Sequence, residues 1–151
     1  MKIDLIKLYL ILIGLFVSTS LNAQFVTIPD ANFVTFLQTN YASCMNGNQM
    51  DTTCAAIISE TSINCNNKNI SDLSGIQFFD NLQSLNCTSN NLTTLNELPA
   101  GLTTLYCVNN NLISIADFPI NIIYIDCTNN LLTFSSCLTS RLDLSLPIQI
   151  I

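Results

Sequence analysis

The stretch "NLQSLNCTSNNLTTLNELPAG", residues 81–101, runs straight into "LTTLYCVNNNLISIADFPIN", residues 102–121, and the two say nearly the same thing. With the cysteines matched, Leu82, Leu85, Cys87, Asn90 and Leu92 fall on Leu102, Leu105, Cys107, Asn110 and Leu112. Ile122, Ile125, Cys127, Asn130 and Leu132 give the set once more. Before them, Ile63, Cys65 and Ile70 fit a looser copy in which Lys68 stands at the asparagine position. The cysteines Cys65, Cys87, Cys107 and Cys127 are thus 22, 20 and 20 residues apart. Self-similarity at such a period is the mark of a solenoid, built of coils none of which can bury its apolar side alone.

Each recurring position has a physical task. Leu85 and Cys87 alternate with Ser84, Asn86 and Thr88, which predicts a short strand with the first pair inward and the others outward. Stacked coils then pair their strands in a parallel sheet along one side. Where the chain leaves that sheet its backbone needs partners, and Asn90, Asn110 and Asn130 are placed to supply them as a side-chain ladder. The flanking "SNN", "NNN" and "TNN" are turn formers. "LNELPAGL" and "IADFPINI" bring a proline just before the next strand, and twenty residues leave little room for a helix, so the return path is expected to be extended or polyproline-like. The longer first copy, with "DLSGIQFFDNL", has room for a helical turn.

The pattern L-x-x-L-x-L-x-x-N-x-L, with cysteine in place of the third leucine, resembles the bacterial type of leucine-rich repeat. "TIPDANFVTFLQTN" and "NISDLSGIQFFDNLQSLNCTSNNL" resemble secreted bacterial proteins of that kind with a short helical N-terminal cap. The resemblance covers roughly residues 25 to 135. It implies an α/β solenoid, a right-handed superhelix with about four short parallel strands, and extracellular recognition or adhesion without catalysis. The sorting domain that ends some longer relatives has no counterpart in this sequence.

The organisation expected is a leader over 1–23, a helical cap over 24–60, repeats over 61–135 and a tail over 136–151. "MKIDLIK", the uncharged run Leu8 to Val17 and "STSLNA" have the three-part layout of a secretory signal, with cleavage after Ala23. The apolar run is about half of the roughly 20 residues that span a bilayer, so membrane insertion is not expected. The chain should be secreted or held at the cell surface. Beyond the leader only Lys68 and Arg141 are basic, against Asp30, Asp51, Glu60, Asp72, Asp80, Glu97, Asp117, Asp126 and Asp143. Nucleic acid is therefore not an expected partner. There is no histidine, and with so little charge neither catalysis nor a cofactor is expected.

Pro29 and Asp30 suit a helix start, with Phe33, Phe36 and Leu37 on one face to cover the first coil. A turn at Asn46 and Gly47 and a second helical piece over about Asp51 to Ser59 should follow. Cys44 and Cys54 bracket a short loop in an exported chain and are assigned a disulfide. Asn46, Asn48 and Asp51 are read as a polar turn rather than as calcium ligands, their spacing matching no known loop. The four repeat cysteines form a line, not the tetrahedral cluster zinc requires, so no metal site is expected. Stacked β-carbons are about 4.8 Å apart against the roughly 3.8 Å of a disulfide, so buried thiols are expected instead.

The outward strand positions should line a concave face in three columns: Ser62, Ser84, Thr104, Tyr124; Asn64, Asn86, Tyr106, Asp126; and Asn66, Thr88, Val108, Thr128. Tyr106, Val108, Tyr124, Asp126, Asn86 and Thr104 are the candidates for contact with an extracellular protein or glycan. A second reading is structural, namely an assembly segment of a surface layer or a truncated array. Self-association would then run through the apolar C-terminal end or Cys137.

Overall fold

The computed structural model describes residues 23–115, 118–132 and 149–150. The leader, apart from Ala23, lies outside the described residues, as do Asp117, Cys137 and the tail other than Gln149 and Ile150.

β4 (Ser62–Asn64), β5 (Ser84–Asn86), β7 (Thr104–Tyr106) and β9 (Tyr124–Asp126) pair in that order, all parallel. β10 (Gln149–Ile150) adds a fifth strand parallel to β9, with Gln149 against Tyr124. The central residues Ile63, Leu85, Leu105 and Ile125 face each other in register and are all but inaccessible. This is a solenoid-like stack. Its core is one continuous column to which each coil gives the same positions: Leu82, Leu85, Cys87, Leu92, Leu95 and Leu98 in the second, and their equivalents above. Burying one such leucine contributes about 1.5–3 kcal/mol, so the coils depend on one another for most of their stability.

The return path is extended, as the proline spacing suggests, but it also pairs. β6 (Thr94–Leu95) and β8 (Ser114–Ile115) form a second parallel ladder behind the core, Leu95 against Ile115. An extended backbone passing beside its copy one coil on can satisfy its N–H and C=O groups in no simpler way. Two residues are too few to show alternation, which is why the sequence does not announce these strands. The longer first coil takes a 3₁₀ turn, Ile76–Phe78, at the same place. Among the described residues, α-helix is confined to the cap.

That cap is more than a helix. α1 (Ala31–Asn40) starts at Asp30, whose Oδ1 accepts from the N–H groups of Asn32 and Phe33, and it buries Phe33, Phe36 and Leu37. β1 (Phe25–Thr27), β2 (Met45–Asn46) and β3 (Gln49–Asp51) make an antiparallel sheet beside it, in the order β1-β3-β2. The turn expected at Asn46 and Gly47 is thus a hairpin. Gly47, the first of its two loop residues, has φ +61°, the mirror-image geometry that matches strand twist. The second helix shrinks to α2 (Ala55–Ile58). Residues 51–53 are taken up elsewhere: Asp51 accepts from the N–H and hydroxyl of Thr53, and Thr52 donates twice to the Gln24 carbonyl. The Cys44–Cys54 disulfide fastens the hairpin to α2.

Candidate binding face

Three kinds of bond, repeated coil by coil, hold the sheet in register. The amide of Asn90 donates to the carbonyls of Cys65 and Cys87, and its oxygen accepts from the N–H groups of Lys68 and Ile70, all within 2.9–3.1 Å. Asn110 donates to Cys87 and Cys107 and accepts from Leu92; Asn130 donates to Cys107 and Cys127 and accepts from Leu112. Each asparagine therefore closes its own turn and the one below. The first coil has only the cap beneath it, so an asparagine at Lys68 would have no lower turn to bridge. There Asp30 takes over: its Oδ2 accepts from the N–H and hydroxyl of Ser71. Burial alone would raise the Asp30 carboxyl, but the bonds from Ser71, Phe33 and Asn32 outweigh it and hold the group below its ordinary value.

The cysteines form the second ladder. Cys65 donates its thiol to the Asn86 carbonyl, Cys87 to that of Tyr106 and Cys107 to that of Asp126, at 3.4–3.5 Å. Cys65, Cys87 and Cys107 are buried, whereas Cys127 is half-buried. Burial pushes the Cys65 thiol up to about 12 and that of Cys87 well above its ordinary value. Thiols so far from ionisation are neither nucleophiles nor thiolate ligands at neutral pH. Among the described residues no three His, Cys, Asp or Glu side chains cluster closely enough to hold a metal ion.

The third device lies in the turns. Asn67, Ser89, Asn109 and Asn129, each two residues past a ladder cysteine, all have φ between +53° and +57°. Asparagine is the ordinary choice for this left-handed geometry, and Asn129 also donates to the Asn109 oxygen at 2.8 Å. The runs of asparagine thus divide their labour: one residue bends, the next bonds. That distinction is not visible from turn propensity alone.

Upon this frame sit the outward residues. The register sets Ser62, Ser84, Thr104 and Tyr124 in one row, and Asn64, Asn86, Tyr106 and Asp126 in the next. Asn64, Asn86 and Asp126 each accept from the N–H two residues on, closing the strand end. Part of the capacity of Asn86 and Asp126 is therefore spent on their own backbone. Val108 lies past β7 rather than on it, and its carbonyl accepts from the Ser89 N–H. Tyr106 and Tyr124 meet with centroids 5.2 Å apart and planes at 48°, Tyr106 being 37% exposed. Desolvation, then the charge of Asp126 and the presence of Tyr106, raise the Tyr124 phenol above its ordinary value.

A groove of about 290 Å³ lies between α1 and the first coil, with Asn32, Thr35, Thr39, Asn40 and Lys68 among its lining. Its polarity is directed inward. Thr35 and Thr39 bond back to their helix, Asn40 to the Phe36 carbonyl and Asn32 to the Asn69 carbonyl. The tyrosine face is therefore the better candidate.

No protein-family model matches the sequence, and comparison with curated proteins gives no match. Among the solved chains that match is the functional domain of InlJ from Listeria monocytogenes, which includes a cysteine ladder. The chain is 30% identical to it with a TM-score of 0.61, over 87% of its own length and 29% of the other's. A cysteine ladder is thus common to the two. The chain has a bacterial leucine-rich-repeat-like fold, solenoid-like, closed at its N-terminal side by a disulfide-bonded cap.

Proposed function

We propose that the chain is a secreted or surface-held, non-catalytic binding module that recognises an extracellular protein or glycan through the outward face of its parallel sheet. The observation that carries this reading is the tyrosine pair beside Asp126. The first two coils give that face small polar residues, and the third and fourth together gather an aromatic pair and a carboxylate. Large amphipathic rings at the centre of a polar surface are what protein interfaces use as anchors. The layout of the leader and the disulfide both agree with export. Its test is the double variant Tyr106→Ala with Tyr124→Ala, assayed against partners recovered from the native exoproteome. Binding should weaken at least tenfold, and unchanged binding to every partner would sink the reading.

One observation favours assembly as a second reading. Ile113, Ile120, Ile123 and Leu131 are exposed by 55–79%, where Thr93, Ala100, Thr103 and Asn111 stand one coil earlier. An assembly unit would sediment as larger species as its concentration rises, whereas a binding module stays monomeric.

A further inference from the structure

We infer that the sheet face takes a cationic side chain, so that its partner is a basic segment of an extracellular protein, with an arginine or lysine seated between Tyr106, Tyr124 and Asp126. The inference rests on the binding-module reading and narrows it.

Charge is the first argument. Along β4, β5, β7 and β9 the outward residues are serines, a threonine, asparagines and two tyrosines, and Asp126 is the one charged group among them. Among the described residues the one cation is Lys68, which lines the groove beside α1 in the first coil, three coils from Asp126. The chain beyond its leader carries two basic residues against nine acidic ones. The face therefore attracts cations, and among the described residues no fixed positive charge on it would repel one.

Geometry is the second. Two rings tilted at 48° with centroids 5.2 Å apart form an open aromatic corner. Ring faces attract cations, most strongly a planar guanidinium that can also stack. Asp126 is in register with Tyr106 across the strand pair and two residues from Tyr124. Its Oδ1 is engaged by the N–H and hydroxyl of Thr128, and no bond to its Oδ2 is formed among the described residues. One carboxylate oxygen beside two rings can fix a cation that the rings alone would hold loosely.

The experiment titrates the folded, isotope-labelled chain with a short alternating glycine–arginine peptide, following backbone and tyrosine ring signals by NMR. The same peptide in lysine and in citrulline, the uncharged counterpart of arginine, provides the comparison. Saturable shifts confined to β7 and β9 are expected with arginine, weaker ones with lysine and none with citrulline. Raising salt from about 20 to about 200 mM should weaken the binding. Asp126→Asn should weaken it about tenfold while keeping the fold, since Asn64 and Asn86 make the same turn bond at the same position. Lys68→Gln should change nothing.

Equal binding of the citrulline peptide, or shifts away from β7 and β9, would overturn the inference. So would the absence of any saturable shift. In that last case a neutral oligosaccharide, or a native partner without basic residues, that protects the β7 and β9 amides would leave the binding-module reading standing. If nothing touches this face, both fall together.

Discussion

The cap joins the first coil by bonds that are each made once, whereas the later coils join one another by bonds made over and over. At the junction stand a buried aspartate and Tyr41, wedged against Phe36 and Phe79 with its hydroxyl on Glu60. Gly75 is equally individual: a β-carbon there would lie 2.3 Å from Ile28, and its φ of +109° suits glycine. Between coils the vocabulary is an asparagine, a cysteine and a left-handed turn residue, used identically each time. A periodic interface can be written by copying. A boundary between unlike parts has to be invented, and its residues have no counterparts to be recognised by.

The largest effect should come from breaking a periodic bond in the middle of the stack. Asn110→Ala strands two buried carbonyls and the Leu92 N–H, at about 4 kcal/mol, and urea unfolding followed by circular dichroism would measure it. A loss below about 1 kcal/mol would mean that water replaces the amide and that the ladder is not what joins the coils. Next comes the cap. Cys44→Ser with Cys54→Ser should cost about 3 kcal/mol and loosen the hairpin first, which native-state hydrogen exchange would show as faster exchange in β2 and β3 than in β7.

Acid sharpens the contrast further, because the one buried carboxylate among the described residues stands at the junction. Asp30 is held below its ordinary value of 3.8, so its contribution is complete above that value and is lost as the pH falls through the lowered one. Asp30→Asn should cost about 1 kcal/mol at neutral pH, and the gap from the native chain should close as the pH falls below 3.8. Denaturant midpoints across that range would register it, and a gap that widens in acid would contradict the assignment. The smallest effect is a gain. Ser89 alone among the four turn residues is not asparagine, and Ser89→Asn should stabilise by about 0.5 kcal/mol, read as a rise in thermal midpoint.

The coils were legible from sequence because a repeat multiplies its own signal. One leucine or asparagine says little, but three or four copies in step place Leu85 inward, Asn90 in the turn and Tyr106 beside Asp126 before any coordinates are known. The cap and the return path lacked that amplification. β1, β2 and β3 have two or three residues each, and Asn46-Gly47 between Met45 and Met50 was the one local hint of a hairpin. β6 and β8 exist because each lies beside the other, a property of neighbours rather than of either segment. The double duty of Asp30, at the helix start and on Ser71 forty-one residues away, is a long-range fact that no local pattern encodes.

The asparagine of each coil reaches down to finish the turn of the coil beneath and leaves its own N–H groups to be finished from above. The stack therefore has a direction, as a spiral stair does when every tread is pinned by the next. A twenty-residue block duplicated in the middle arrives with its pin and finds one waiting, so length is a property this architecture can change without redesign. The first tread is different: it rests on Asp30, and lengthening the stair at that end would mean building a new floor.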